Sequence, residues 1–430
     1  MTARLETGDT VTLLEIEKGF RDAALRGGNT LFTKFLSEIT DTAPICPECA
    51  TQKPMEDLGV RSKNIVSLLG EGTITRKYYG CGCGKHILPK DVLLDISGTS
   101  YTPGVRRVVS QLAACDSFER SSETLEEVCG IYVSGKDAER IAEAVGTAIE
   151  AENAKQIVEA FSLCGAGQPA VTHIPIMYAE FDGTGVPVMK RETSGRKGKQ
   201  EDGTAKTREA KLGCIFTQTG LNEKLEPVRD NNSTTYFGAI ETSGDFGKRL
   251  YMEAAQRGVA NADIVVVLGD GAKWIWNLAD EHFPKAVQIV DLFHAKEHLC
   301  DFIKSMFSDT EIKLAKEKEW TELLEAGKIE ELTTEMARYA GSSEEEQEEA
   351  NREMSYFKEN AKRMQYKYFK SQGFFVGSGV IEAGCKNVIG KRLKQSGMHW
   401  SVRGANSIIA LRCSILSRKF KLPSFTGKTA

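Results

Sequence analysis

The chain has 430 residues, 41% hydrophobic and 27% charged, enough for about two to four domains around a large core. No apolar run approaches the roughly 20 residues of a membrane helix, and residues 1–9 lack a signal-peptide core. A soluble cytoplasmic protein is therefore expected, without a membrane-spanning helix. The formal charge of −4 hides an asymmetry: residues 355–421 hold 14 Lys and Arg against two acids, Glu359 and Glu382, a local +12 that leaves −16 for the remainder. Such a basic segment suits a polyanion partner; the alternative is a solvated face that balances acidic segments elsewhere.

Residues 1–40 read as a polar helix, with Leu13, Leu14, Ile16 and Phe20 and then Leu31, Phe32, Phe35 and Leu36 at helical spacing. Residues 41–97 form a small cysteine-containing module. Within it Cys46-Pro-Glu-Cys49 and Cys81-Gly-Cys83 lie 31 residues apart, and two close pairs suggest a tetrahedral Zn²⁺ ribbon. The second pair has one spacer rather than two, which leaves His86 as an alternative fourth ligand. The other seven of the 11 cysteines are scattered and read as small core residues, since an odd count without a signal peptide argues against a disulfide framework.

Residues 98–165 are helical, and residues 121–146 read as helix, Gly130 turn, helix, with Ser134 as N-cap. This pattern fits a helix-turn-helix whose second helix enters a DNA major groove. An ordinary helical hairpin fits equally, because Asp137, Glu139 and Glu143 on the second helix oppose base readout.

From 174 to 294 strands alternate with helices; the expected strands are 176–182, 185–190, 209–217, 263–269 and 287–291. The charged stretch 191–206 is expected to be an exposed hairpin tip or a disordered loop. Residues 295–372 are helical and highly charged, with a helix start at Ser342-Ser343 followed by acids. Residues 373–430 return to apolar and basic helices.

Two apolar segments end in Asp-Gly, at Asp182-Gly183 and Asp270-Gly271. An acid at a strand end is reachable by a metal, and the glycine lets the backbone turn away; each Asp-Gly taken alone is equally an ordinary turn. A third acid, Glu382, lies among glycines ahead of Lys391, Arg392 and Lys394. Two strand-end aspartates and a late glutamate match the layout of a two-metal nucleotidyl transferase. Glu180, two residues before Asp182, shares its face of the strand and reads as a supporting group or a polar edge residue. Asp291 is expected to start a helix and to work with His294 in capping and orientation, since His294 and His298 lack the glutamate placement of a zinc protease.

These blocks resemble the bacterial insertion-sequence transposases of the DDE class, specifically the Kra-four insertion-sequence family. The matching pieces are residues 181–184, Thr207-Arg208-Glu209-Ala210-Lys211, residues 268–276, Asp291-Leu292-Phe293-His294, and Gly377 to Ser401 followed by Gly404-Ala405. The resemblance covers roughly 45–420. It implies an α/β, RNase H-like catalytic core, split into 174–294 and 373–430 by a helical insertion at 295–372. It implies Asp182, Asp270 and Glu382 as catalytic triad and metal ligands, with Mg²⁺ or Mn²⁺ as cofactor. It further implies double-stranded DNA as substrate, at element ends and target, a homodimer or higher oligomer on that DNA, and a place at the bacterial nucleoid. Relatives carry an N-terminal zinc-type and helix-turn-helix region, from which Cys81-Gly-Cys83 departs in spacing. Lys391, Arg392, Lys394 and Arg403 are expected to grip phosphates, and Trp400 either to stack on an unpaired base or to sit in the core. The expected activity is hydrolysis at the element's ends followed by strand transfer of the 3′-hydroxyl. The alternatives are a nuclease of the same fold without strand transfer and a non-enzymatic DNA-binding protein derived from a transposase.

Overall fold

The computed structural model describes residues 12–49, 53–162, 173–198, 203–339, 341 and 343–425. The chain divides into two compact units, one of residues 1–148 with 421–430 and one of residues 149–420. Among the described residues no helix is long and apolar enough to cross a membrane.

The first unit begins with helix α1, Leu13–Glu38, opened by a capping box in which Thr12 and Glu15 satisfy each other's backbone N–H groups. Its inner stripe, Phe32 and Leu36, packs on Ile65, Ile74 and Ile96. Ile65 and Ile74 lie on a long hairpin, β1 (Glu56–Ser67) and β2 (Gly70–Gly80), which turns at Gly70 with φ +122°. A two-residue strand β3, His86–Ile87, adds to β2. Helices α2 (Pro103–Cys115), α3 (Phe118–Cys129) and α4 (Gly135–Ser162) follow. Ser117 caps α3, and Gly130 at φ +69° ends it in the left-handed conformation that favours glycine. Val105, Val109, Leu125, Ile131, Val133, Ala138 and Ile141 bury the angle between these helices.

The second unit is built on a six-stranded sheet. Its strands are β4 (Ile174–Pro187), β5 (Thr207–Leu221), β6 (Pro227–Arg229), β7 (Thr235–Ala239), β8 (Ala262–Gly269) and β9 (Val287–Val290). The order is β6-β5-β4-β8-β9, with β7 also paired to β5. β4 and β5 are antiparallel, whereas β4, β8 and β9 run parallel. The centre of β8 is a continuous apolar run, as expected of a parallel strand covered on both faces. Helices α5 (Ser243–Gln256) and α6 (Lys273–His282) connect the strands, and α12 (Val402–Leu416), reached later in the chain, packs on β7. After β9 come α7 (Leu292–Met306), α8 (Thr310–Glu325), α9 (Ile329–Ala337) and α10 (Glu344–Asn360), packed around Phe302, Trp320, Leu324, Met336 and Phe357. The chain returns to the sheet as α11, Gly379–Gly384, continued by a π-helical turn at Cys385–Gly390.

Two expectations are corrected. The strands expected at 176–182 and 185–190 are one strand, β4, which passes through Asp182-Gly183 without turning. Its register with β5 holds from Ile176 opposite Gln218 to Pro187 opposite Thr207, so the ladder overrides the local turn preference of Asp-Gly. The short strands β6 and β7 were not expected; they lie after the Asn222–Glu226 turn and before α5.

Close approach of β5 and β7 rests on glycine. A Cβ at Gly238 would lie 2.4 Å from the carbonyl oxygen of Lys211, whereas one at Gly220 would meet nothing within 4 Å. Gly238→Ala is therefore expected to lower stability by about 1–3 kcal/mol and Gly220→Ala by under about 0.5 kcal/mol, read as shifts of the urea unfolding midpoint. Equal shifts would mean that β7 is not pressed against β5.

Candidate active site

Three neighbouring parallel strands end at the same edge of the sheet. β4 pairs with β8 only as far as Glu180, opposite Leu268, so Asp182 stands where β4 runs on past its neighbour. Asp270 follows β8 directly, and Asp291 follows β9. Each strand thus delivers one aspartate. Asp291 caps α7, its Oδ1 accepting from the His294 backbone N–H at 2.8 Å, and the His294 Nδ1 lies 3.4 Å from the same oxygen.

Glu382 reaches this edge because the segment that carries it is tied to the strands. Phe375 N–H donates to the Tyr178 hydroxyl at 3.1 Å, and Leu292 N–H to the Val376 carbonyl at 2.9 Å. Ser378 N–H donates to Asp291 Oδ2, and Ile381 N–H to Glu180 Oε2 at 2.9 Å. The Ser378 hydroxyl donates to Glu382 Oε1 at 3.1 Å, and the Cys385 thiol to Asp182 Oδ2 at 3.4 Å. Glu180 and Asp291 are fully buried, Asp182 and Asp270 half-buried, and Glu382 exposed, so the cluster opens to solvent at Glu382.

Five carboxylates share this edge with one imidazole, and their ionisation reflects the crowding. Burial pushes Glu180 up to about 8 against the pull of the Ile381 N–H, with the Asp291 and Glu382 charges adding to the rise. Burial also raises Asp182, and the Asp270 charge adds to it. The Asp291 carboxylate pushes His294 up to about 9. Asp291 itself, although burial opposes it, is held below the usual carboxylate range by His294 and Ser378. Crowded acids of this kind are relieved by a cation. The ligand atoms of Asp291, His294 and Glu382 lie within 4.8 Å of one another and could hold one. Asp182, Asp270 and Glu382 are thus gathered at one edge, but the tightest group of metal-capable atoms substitutes Asp291 and His294 for the two aspartates.

The sequence pattern leaves three contributors out. Tyr356 on α10 donates its hydroxyl to the Asp270 carbonyl at 2.9 Å, and its ring fills the space where a Cβ on Gly271, φ +105°, would sit. His298 stacks on Tyr356 with ring centroids 3.7 Å apart, and its Nδ1 lies 2.6 Å from the buried Glu353. The spacing of His298 from His294 marks it in the sequence, whereas nothing there marks Tyr356 or Glu353. Cys385 is the third, since its sequence surroundings suggest only another scattered core cysteine.

The basic residues divide. Lys391, Lys394 and Arg403 are exposed, and Lys394 Nζ donates to Thr184 Oγ1 at 2.6 Å, two residues from Asp182. Arg392 and Trp400 are buried: Trp400 takes the core alternative, and Arg392 is not at the surface, which corrects its expected grip on phosphate. Arg392 lies over the Trp400 ring, 5.0 Å from its centroid, and Trp400 Nε1 donates to the Leu393 carbonyl at 3.1 Å. The pair holds the 391–403 segment in place.

A second site lies in the first unit. Cys46, Cys49, Cys81 and Cys83 bring their sulfurs within 4.8 Å of one another, with Cys46 to Cys83 at 3.6 Å and Cys49 to Cys81 at 3.5 Å. The one-residue spacing is accommodated by a tight turn in which Gly84 N–H donates to the Cys81 carbonyl and Gly84 takes φ +89°. His86, the alternative fourth ligand, instead stacks on Tyr78. Contacts with Cys83 and Cys81 push the Cys49 thiol up to about 12, because clustered sulfurs resist ionising together without a cation. The four-cysteine cluster could hold zinc.

No curated protein matches the chain. Among solved structures it is similar to the "Drosophila P element transposase strand transfer complex", at a TM-score of 0.24 and 8% identity, covering 73% of this chain and 79% of that one. So loose a superposition leaves the course of individual strands to be read from this chain alone. The family described as "Uncharacterised protein family (UPF0236)" matches residues 11–418, nearly the whole length, and the protein belongs to that family.

Proposed function

We propose that this protein is a DDE transposase with an RNase H-like core, which cuts DNA at the ends of a mobile element and joins the freed 3′-hydroxyl to target DNA. The observation that carries this reading is the placing of Asp182 within β4, and of Asp270 and Asp291 just after β8 and β9, at one edge of the sheet, with Glu382 tied to the same edge. The strand order supports it: an antiparallel β6-β5-β4 half continued by parallel β8 and β9, with an acid on the central strand, is the order an RNase H-like core would require. The Kra-four insertion-sequence assignment is the finer part of the same proposal and rests on the sequence blocks from Gly377 to Ser401.

Asp182, Asp270 and Glu382 would hold Mg²⁺ or Mn²⁺, with His294 and Asp291 beside them; a site rich in carboxylate oxygens suits these hard cations. Bound there, the ions supply charge neutralisation at the phosphodiester and activation of the attacking oxygen. The chain's own residues position and bind. Glu180 and Asp291 fix the N-terminus of α11, and Ser378 orients the Glu382 carboxylate. Tyr356 steadies the Asp270 loop. Lys391, Lys394 and Arg403 would meet phosphates, since phosphoryl transfer asks for positioning and charge stabilisation above all. Joining two element ends would bring at least two chains together on DNA.

The test is cleavage of duplexes taken from the DNA flanking the gene, with Mg²⁺, by wild type and Glu382→Gln. Cutting is expected to fall by about 10²–10³-fold or more in the variant, as on loss of one electrostatic stabiliser, while duplex binding persists. Cutting by both proteins alike would remove Glu382 from the reaction. A pre-cleaved end that wild type cannot join to a second duplex would make the protein a nuclease without strand transfer.

The four-cysteine cluster would hold a structural Zn²⁺ that supports the β1–β2 hairpin, coupling metal binding to folding. Purified wild type is expected to contain about one zinc per chain, and Cys83→Ser substantially less, with a lower unfolding midpoint. Wild-type protein free of zinc, with all four thiols open to a thiol reagent at its native melting temperature, would leave the cluster unmetallated.

A further inference from the structure

Helix α1 supplies nothing to the carboxylate edge or to the four-cysteine cluster. Its inner stripe, Phe32 and Leu36, is buried against the β1–β2 hairpin. Yet Leu13, Leu14, Phe20, Leu31 and Phe35 on the same helix stand 64–73% exposed. Five large apolar side chains on one helix are more than scattered surface residues, and a patch of that kind marks an interaction surface.

Alternating steps of four and three residues from Leu13 trace a seam along α1, the spacing by which paired helices mesh. The middle of the seam holds Phe20, Ala24, Gly27 and Leu31 and its flanks Glu17 and Lys34, every one of them exposed. Gly27 is the informative position. Glycine inside a helix is unfavourable, and a Cβ there would meet nothing within 4 Å, so nothing among the described residues calls for it. A second helix does, because glycine and alanine at the centre of a seam let two helix axes approach to about 8 Å, the close end of helix packing.

The order of residues along the seam says which helix that is. Turned end for end about a point between Leu25 and Arg26, α1 sets Phe20 against Leu31 of a second copy, Ala24 against its Gly27 and Glu17 against its Lys34, each twice by symmetry. Leu14 and Phe35 meet beside these layers. A parallel pair would instead stack Glu17 on Glu17 and Lys34 on Lys34. Within its own chain Lys34 reaches Glu38 at 4.0 Å, an exposed contact too weak to keep it from a facing Glu17. Five apolar side chains from each copy, at on the order of 100 Å² each, remove on the order of 1,000 Å² from water, the size of a stable interface.

We propose that α1 is a homodimerisation helix, which pairs antiparallel with α1 of a second copy about a two-fold axis between Leu25 and Arg26, and that this pair forms without DNA. The transposase reading asks for two chains on DNA. The pairing stands on α1 alone and is tested with no nucleic acid present, so its failure leaves the cleavage reading where it is.

The experiment is sedimentation velocity of the full-length protein between about 1 and 50 μM, the range of a micromolar or tighter pair. Wild type is expected to sediment as a dimer. Phe20→Lys combined with Leu31→Lys sets lysine against lysine in two layers and is expected to be monomeric across the range, at least about 100-fold weaker in affinity. Both positions are exposed in the single chain, so its far-ultraviolet circular dichroism is expected to match wild type. Glu17→Lys and Lys34→Glu are each expected to weaken the dimer several-fold and the two together to recover it, since the double reversal restores both pairs. These charge reversals decide the matter should the lysine variant unfold. A wild type that is monomeric throughout overturns the pairing and leaves the seam to a partner other than a second copy. A dimer unchanged by Phe20→Lys with Leu31→Lys overturns α1 as its interface. A combined reversal weaker than either single change overturns the antiparallel register.

Discussion

The candidate site depends on two buried carboxylates, Glu180 and Asp291, that accept backbone N–H groups from the segment carrying Glu382. Glu180 accepts the N–H of Ile381, 201 residues later in the chain, and Asp291 accepts that of Ser378. An ionised carboxylate taken out of water loses several kcal/mol unless hydrogen bonds replace its hydration. For Asp291 the replacements are the N–H groups of Ser378 and His294. Glu180, bonded to Ile381 through one oxygen, is instead pushed up to about 8 by its burial. Ser378 N–H finds its acceptor in Asp291, and Ile381 N–H is shared between Glu180 and the Ser378 carbonyl, 3.0 Å away. This clasp also decides where Glu382 stands, one residue beyond Ile381 and hydrogen-bonded to Ser378. The clasp adds to the ties that Phe375 makes to Tyr178 and Cys385 to Asp182 in holding the late segment on strands laid down so much earlier.

The same clasp explains why the edge holds so much negative charge. Each acid that fixes the backbone adds its field to the acids that remain free, and Asp182 is raised by burial and by Asp270 together. His294 offsets part of that field, being held beside Asp291 at the start of α7. Such crowding of acids is electrostatically unfavourable, and a cation relieves it.

Much of this was legible in the sequence, and the failures have local causes. Apolar runs marked β4, β5, β8 and β9, and the acids could be ranked because two ended such runs and the third came after a long charged insertion. The Asp182-Gly183 turn failed because turn preference is a property of four residues, while β4 answers to a twelve-pair ladder with β5. Arg392 failed for a subtler reason. The π-helical turn at Cys385–Gly390 inserts a residue into the winding ahead of it, and each extra residue rotates the next turn of helix by about 100°. Lys391 and Lys394 therefore stay outside while Arg392 turns inward onto Trp400. Composition alone could not separate these neighbours.

The insertion gives the last step. Helices at 292–360 read as a charged appendage, yet Tyr356 reaches the Asp270 carbonyl and fills the space beside Gly271. Its ring is backed by His298, and His298 by the buried Glu353, so the second aspartate's loop is braced from outside the sheet. β8 fixes Asp270 only through the residue before it, and Gly271 alone would let the loop swing. The hydroxyl bonds the Asp270 carbonyl, and Ala272 N–H donates to the Asp270 Oδ1 at 2.9 Å, so backbone and carboxylate are both held. The insertion therefore belongs to the site as much as the strands do: β4 and β8 fix where the two aspartates begin, and α10 holds the loop that carries the second.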